Sequence, residues 1–268
     1  MKKLFKWPGG KTKELKTISS LLPNDFNRII EPFAGSGALT FHLEKNSLLN
    51  DTDKNIVNFY RVIKDDSKFK LLFDKCRVSQ QIPFQDASGN TLENLYYDCR
   101  QRLNQKDFSD DVQMAYDFLI TRQLSFSGMI RLNPKGNFNV PYGWYQKLTL
   151  SISDKHHEFI KNSVDITEGD FEQVITSAIA TDFLFLDPPY RQKAGYAVSH
   201  FTDDDHCRLA AALSQTSVPW LLVHCDDELY RDLYKNFNIT TQNFQYNINF
   251  KGRKMEDLKV DHLYISNY

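Results

Sequence analysis

Four consecutive residues, Asp187-Pro188-Pro189-Tyr190, close the apolar run Phe183-Leu184-Phe185-Leu186. The run reads as a buried parallel strand, so the four residues stand at a strand's carboxyl end, where open α/β sheets place their chemistry. Consecutive prolines present carbonyls without N–H donors, which makes Pro188 a rigid acceptor beside the Asp187 carboxylate. Tyr190 adds an aromatic face. Such a set suits a planar group bearing an NH2: Asp187 accepts one amino proton, the Pro188 carbonyl the other, and Tyr190 stacks on the ring.

A second signature, Glu31-Pro32-Phe33-Ala34-Gly35-Ser36-Gly37, follows the first expected strand and precedes a helix. Gly35 and Gly37 let backbone approach a ligand closely, as in nucleotide-binding turns, although the third glycine of the dinucleotide fingerprint is missing and a simple tight turn is the competing reading. Asp51 ends the next strand, near the offset of about 20 residues at which an acid reaches ribose hydroxyls. An N-cap within Asn50-Asp51-Thr52-Asp53 is the alternative. Phe5-Lys6-Trp7-Pro8-Gly9-Gly10-Lys11-Thr12 ends like a phosphate loop but has Phe5 where that motif needs glycine. The histidines (His156, His157, His200, His206, His224 and His262 among them) have no ligand partners at metal spacing and read as ordinary surface or core residues.

The elements that must position these residues alternate as α/β units do. A helix is expected from about Lys11 to Leu22, a strand at Arg28 to Glu31, a helix from Ala38 and a strand ending at Asp51. From about Asn55 to Lys147 the rhythm breaks into helices (Ile56 to Ile63, Leu92 to Leu103, Val112 to Leu124) and a stretch of hairpin character from Met129 to Tyr142, turned by Asn133-Pro134-Lys135-Gly136. The α/β pattern then resumes with helix 152–161, strand 164–167, helix 171–179, strand 183–187, helix 203–215 and strand 219–225. It closes on two strand-like runs, Ile239 to Phe250 and Val260 to Ser266. The expected architecture is a doubly wound, mostly parallel α/β sheet formed by residues 1–55 and 149–268, with residues 56–148 inserted.

The 268 residues are 41% hydrophobic and 25% charged, an ordinary globular composition. Thirty-three basic against thirty-four acidic residues give no global polycation, so a nucleic-acid surface has to be a local patch. Cys76, Cys99, Cys207 and Cys225 show no metal spacing and, with no signal peptide or long apolar run, read as reduced thiols of a cytoplasmic protein without a membrane span.

In order along the chain, Phe5-Lys6-Trp7-Pro8-Gly9-Gly10-Lys11, Glu31-Pro32-Phe33-Ala34-Gly35-Ser36-Gly37, Phe126-Ser127-Gly128-Met129-Ile130-Arg131-Leu132-Asn133 running into Gly136-Asn137-Phe138-Asn139-Val140-Pro141-Tyr142-Gly143, and Asp187-Pro188-Pro189-Tyr190 resemble the Dam-type DNA adenine methyltransferases. The resemblance spans nearly the whole chain. It implies S-adenosylmethionine as methyl donor, a seven-stranded Rossmann-like methyltransferase sheet whose last hairpin is antiparallel, and a DNA-recognition insertion. Carried over by position, Trp7 and Lys11 contact the cofactor, Phe33, Gly35 and Gly37 cradle its methionine end, Asp51 binds its ribose, Asp170 lies by its adenine, and Asp187 adjoins its sulfonium. Phe126-Ser127 replaces the Tyr-Asn of many bacterial members and is closer to phage-encoded relatives.

In this reading Asp187 and the Pro188 carbonyl accept the two hydrogens of an adenine amino group and aim its lone pair at the methyl, with Tyr190 stacking on a base flipped from the duplex. Lys6, Phe126, Ser127, Arg131 and Pro141 form the expected DNA-reading set. Arg131 is read as a bidentate contact to guanine or else a phosphate clamp, Phe126 as a wedge, and Lys6 as a base or phosphate contact. Lys251, Arg253 and Lys254 either hold phosphates or form a solvated turn. The expected substrate is double-stranded DNA at GATC or a related site. A methyltransferase for RNA or protein glutamine and an inactive DNA-binding relative are the rival readings, and a restriction endonuclease partner is left open.

Overall fold

A computed structural model describes residues 1–84, 91–191, 201–245 and 259–268. Its sheet has seven strands: β1 (Arg28–Glu31), β2 (Ser47–Asp51), β3 (Val164–Glu168), β4 (Asp182–Leu186), β5 (Trp220–Cys225), β6 (Asn238–Gln245) and β7 (Lys259–Ser266). They lie in the order β3-β2-β1-β4-β5-β7-β6, with the first five parallel and β7 antiparallel to both neighbours. The strand order reverses between β1 and β4, which places the ends of both strands at the switch point where such sheets open a crevice.

The apolar alternation of the central strands explains the two layers around them. Ile30, Leu184, Leu186 and Leu222 pack one way against Phe171, Leu209 and Tyr230. Ile29, Phe183, Phe185, Leu221 and Val223 pack the other way with Ile18 and Leu39. Successive strand residues point to opposite faces, so a strand that is apolar at every position must be covered on both. The covering helices are α1 (Leu15–Ser20), α2 (Ala38–Leu43), α7 (Asp154–Ser163), α8 (Phe171–Ser177), α9 (Asp203–Gln215) and α10 (Glu228–Leu233), the others falling between β2 and β3.

Those others are α3 (Lys54–Lys64), α4 (Asp66–Ser79), α5 (Leu92–Gln105) and α6 (Asp111–Leu124). Asp53, Asp65 and Asp110 start α3, α4 and α6 by accepting backbone N–H bonds, a device worth about 1 kcal/mol each. Every residue of α6 from Ala115 to Leu124 is buried, and α6 packs against α3, α4 and α5. Their apolar side chains join one core with Leu49 of β2, Val164 of β3 and Ile160 of α7.

Three local features depart from the sequence expectations. The first helix is broken into a 3-10 turn at Lys11–Lys13 and the short α1, because Lys11 and Glu14 both turn inward to buried partners. The hairpin of residues 125–142 has two isolated antiparallel bridges, Ser125 to Tyr142 and Leu132 to Phe138, rather than a continuous ladder. Two helices, α4 and the short α10, carry too mixed a charge pattern to announce themselves. Lys251, Arg253, Lys254, His200 and the end of the Ile239 to Phe250 run lie outside the described residues.

Candidate active site

The end of β4 leads directly into Asp187 and Pro188. Lys11 Nζ donates to Asp187 Oδ1 at 2.5 Å and to the Gly9 carbonyl at 2.9 Å, and Lys11 itself is only 2% exposed. Among the described residues nothing is hydrogen-bonded to Asp187 Oδ2 or to the Pro188 carbonyl. Two acceptors at the end of β4 are thus without a partner among the described residues. Burial pushes the Asp187 carboxyl up from its ordinary range, and the Lys11 ammonium opposes that shift. Lys11 also lies 4.9 Å from the ring centroid of Tyr190.

Behind this turn sits a buried cluster that the sequence reading passed over. His224 on β5 accepts the Arg191 N–H at Nε2 (3.3 Å), and its Nδ1 lies 2.8 Å from the Cys225 carbonyl. Only the tautomer with hydrogen on Nδ1 serves both partners. Burial drives His224 down to about 3, so it is neutral. Its ring stacks on Tyr230 at 3.6 Å and packs against Tyr190 at 4.7 Å. The Arg191 guanidinium bridges Asp203 and Asp227, tying the turn to α9 and to the start of α10. On the other side, Glu14 accepts from His262 Nδ1 (2.8 Å) and the Tyr264 hydroxyl (2.6 Å). Burial alone would raise Glu14, but His262, Lys11 and Tyr264 together hold it below its usual range. His262 packs edge-on to Tyr190 at 5.7 Å.

The cofactor-type residues gather at the ends of β1 and β2. Gly35 and Gly37 have φ of +46° and +58°, and a Cβ on Gly35 would stand 2.9 Å from Trp7 Nε1. Glycine is thus required there by both backbone and space. Asp51 Oδ2 accepts the Gly35 N–H (2.9 Å) and Oδ1 the Asp53 N–H (3.0 Å), while Asp53, not Asp51, caps α3. Burial raises Asp51 to about 6 against those two backbone bonds. Glu31 accepts from both Thr40 N and Thr40 Oγ1; burial pushes it up to about 7, with Asp187 adding to the shift. Phe33 stands 5.4 Å from Phe171 and 5.5 Å from Phe201. Asp170 caps α8 and pairs with Arg208 at 3.0 Å, at the mouth of a cavity of about 580 Å³.

The hairpin is a separate region. Phe126 is 41% exposed, and Ser127 and Pro141 are exposed beside it. Ser127 adopts φ +53°, a left-handed backbone that is costly for a residue with a Cβ. Arg131 is exposed but spends Nε on Asn139 Oδ1 (2.8 Å) and Nη2 on the Asn139 carbonyl (3.0 Å), bracing the hairpin across its width. The turn at its tip forms as expected, with Gly136 at φ +78° donating to the Asn133 carbonyl. From beneath, α5 pins the returning arm: Tyr96 and Arg100 donate to the Val140 carbonyl, and Asn104 bonds both backbone groups of Phe138. Lys6 donates to the Gln123 carbonyl (2.6 Å) and lies 3.7 Å over the Tyr145 ring; burial lowers it to about 8. Sequence reasoning missed Trp144, 66% exposed at φ +57° beside this region.

The structure thus brings Trp7, Lys11, Phe33, Gly35, Gly37, Asp51, Asp187, Pro188 and Tyr190 to one sheet edge, with Asp170 at the start of α8 and the Lys6, Phe126, Ser127, Arg131 and Pro141 set on or against the hairpin. Glu14, Arg191, His224 and His262 had no spacing signal. Each acts through a partner far away in the chain.

Comparison with known proteins gives this geometry a family. Residues 7–248 match the model of the D12 class N6 adenine-specific DNA methyltransferases. The chain is 32% identical over its full length, and over the whole relative, to the type II methyltransferase M.CviBI of Paramecium bursaria Chlorella virus NC1A. It is 30% identical, covering all of this chain and 99% of the relative, to the type II methyltransferase M.MjaIII of Methanocaldococcus jannaschii. It is 27% identical to a DNA adenine methylase of Vibrio cholerae, covering 97% of this chain and 93% of that one. The open acceptor pair at the end of β4 accordingly belongs to a member of the D12 class of N6 adenine-specific DNA methyltransferases.

Proposed function

We propose that this methyltransferase takes its methyl group from S-adenosylmethionine and places it on N6 of an adenine rotated out of duplex DNA at GATC or a related short site. The observation that carries the reading is the pair of open acceptors, Asp187 Oδ2 and the Pro188 carbonyl, with Tyr190 beside them and Lys11 holding the other carboxylate oxygen. An adenine amino nitrogen is a weak nucleophile because its lone pair is delocalised into the ring. Accepting both hydrogens favours the pyramidal form and directs the lone pair outward, which is catalysis by positioning and electrostatics.

The donor set fits the cofactor. It comprises a glycine turn that admits no side chain beneath Trp7, the Asp51 carboxylate for hydroxyl groups, and the mutually packed Phe33, Phe171 and Phe201 rings for a purine. When bound, S-adenosylmethionine supplies an electrophilic methyl on a sulfonium. Asp187 balances that positive charge and takes up the amino proton released on transfer. Lys11 opposes the upward push that burial puts on the Asp187 carboxyl. Residues 56–148 are the target-recognition unit, with Phe126 as the wedge at the vacated stack and Arg131 as the guanine reader. The protein works in the cytoplasm, where its DNA is.

Incubation of duplex plasmid with tritium-labelled S-adenosylmethionine, followed by sequencing for N6-methyladenine, tests the reading. Label at adenine within one short motif is expected. Label in RNA or protein with unmodified duplex would overturn it.

A further inference from the structure

Among the described residues, one buried cation of the recognition unit forms no ion pair. Arg122, three residues before the hairpin begins, is only 5% exposed. Its guanidinium carbon lies 4.3 Å over the Phe138 ring of the hairpin and 6.0 Å from the Phe118 ring of α6. Stacking fixes the plane of the group but supplies no acceptor. Among the described residues its side chain has no hydrogen bond and no ion pair, and Nε is sealed from solvent without a partner. The terminal nitrogens are not sealed in the same way, so what remains open of the residue is its donor end.

Buried arginines are held by carboxylates, carbonyls or water, because an unpaired buried charge is among the costliest arrangements in a protein. Asp53 acts on Arg122 only through space, and the carbonyls at the end of α6 are engaged elsewhere: Gln123 by Lys6, Leu124 by Gly143, and Arg122's own by Ser125. Burial lowers its affinity for protons, yet the group stays protonated at neutral pH, down at about 10. A planar fork of donors, immobilised on an aromatic ring and open at its tip, matches a phosphate oxygen pair.

We propose that Arg122 is a preformed anion site for one DNA backbone phosphate, seated in the seam between α6 and the hairpin. The phosphate contact fixes the register in which the hairpin meets its target, while base reading falls to the exposed residues of the hairpin. This inference rests on the reading of residues 125–143 as the DNA-facing hairpin. It adds to that reading a sequence-blind contact that no motif discloses.

The test is equilibrium binding of Arg122→Met and wild type to fluorescein-labelled duplexes, with and without the preferred site, from 50 to 300 mM KCl (assay settings of about the usual range for salt titrations). Met fills the seam and carries no charge. Affinity is expected to fall about 10-fold on both duplexes, and the log–log salt slope to become shallower by about one unit. The melting temperature of the free variant should be unchanged or raised, since a charge held without a partner is lost. Arg122→Lys should recover most of the slope. An unchanged slope with a lowered melting temperature would make Arg122 an internal structural cation and overturn the proposal. So would weakened S-adenosylmethionine binding with unchanged DNA binding, which would identify the anion as the cofactor carboxylate. Absence of salt-dependent DNA binding in the wild type would instead sink the hairpin reading itself.

Discussion

The sheet edge at Asp187 and the hairpin at Arg131 solve opposite problems with similar side chains. At the sheet edge, the charged groups are paired before any ligand arrives: the buried Lys11 on Asp187, the buried Glu14 on His262 and Tyr264, and the part-exposed Arg191 on Asp203 and Asp227. Their geometry is over-determined from α1, β5, β7, α9 and α10. At the hairpin, side chains are exposed, strand pairing is reduced to two bridges, and the Arg131 guanidinium is bonded to its own hairpin. Low-dielectric pairing makes the first site rigid, whereas solvent-exposed bonds at the second are worth little and exchange readily. Chemistry that depends on sub-ångström aim is built in advance. In the proposed reading, recognition by the hairpin trades internal bonds for external ones.

The largest effect that this contrast predicts is at the sheet edge. Asp187→Ala removes one of the two amino acceptors, and single-turnover methyl transfer should fall at least about 100-fold with the fold intact by circular dichroism. Retention of a tenth of the wild-type rate would mean that Asp187 is not an acceptor.

Much of that edge was legible because its parts are contiguous. The four-residue apolar run of β4, the glycines at 35 and 37 and the Asp187 block each carry their signal within a few residues, and the structure places all of them at the switch point. His224, Glu14 and His262 were read as ordinary residues or not read at all. Their partners lie 33 to 250 residues away, and no periodicity encodes a contact across a sheet. The hairpin turn was legible for the same local reason, since Asn133, Pro134 and Gly136 carry their turn preferences individually. Arg122 was hidden by its place in a helix whose residues from Ala115 to Leu124 all prove buried.

Asp51→Ala should weaken S-adenosylmethionine binding by about 10- to 150-fold, the range for losing one charged hydrogen-bond acceptor, and leave DNA affinity alone. Because Asp53 holds the α3 cap, the thermal stability lost should come from the Gly35 turn and not from the helix start. An unchanged cofactor dissociation constant by calorimetry would remove Asp51 from the cofactor site.

Lys11→Met sharpens the comparison through pH. Burial already raises Asp187 and Lys11 opposes the rise, so removing the ammonium must raise it further. The acceptor is active only when ionised. The acid limb of the rate profile should therefore move to higher pH, with the variant recovering toward wild type as pH increases. A constant deficit across pH 6 to 9 (a window of about neutral range) would assign Lys11 to cofactor binding alone.

The smallest effect belongs to the hairpin. Arg131→Ala should reduce discrimination between the preferred site and sites altered at one guanine by about 1 to 3 kcal/mol, while changing the rate at saturating DNA little. Uniform weakening on all sequences would make Arg131 a phosphate contact.

The central claim is that aim and recognition are separable in this molecule, and one crossed measurement tests it. Single-turnover methyl transfer is measured for wild type, Lys11→Met and Arg131→Ala, each on the preferred duplex and on one altered at a guanine. The account predicts that Lys11→Met lowers both rates by the same factor and preserves their ratio, whereas Arg131→Ala compresses the ratio. A changed ratio in Lys11→Met, or equal losses on both duplexes in Arg131→Ala, would contradict it.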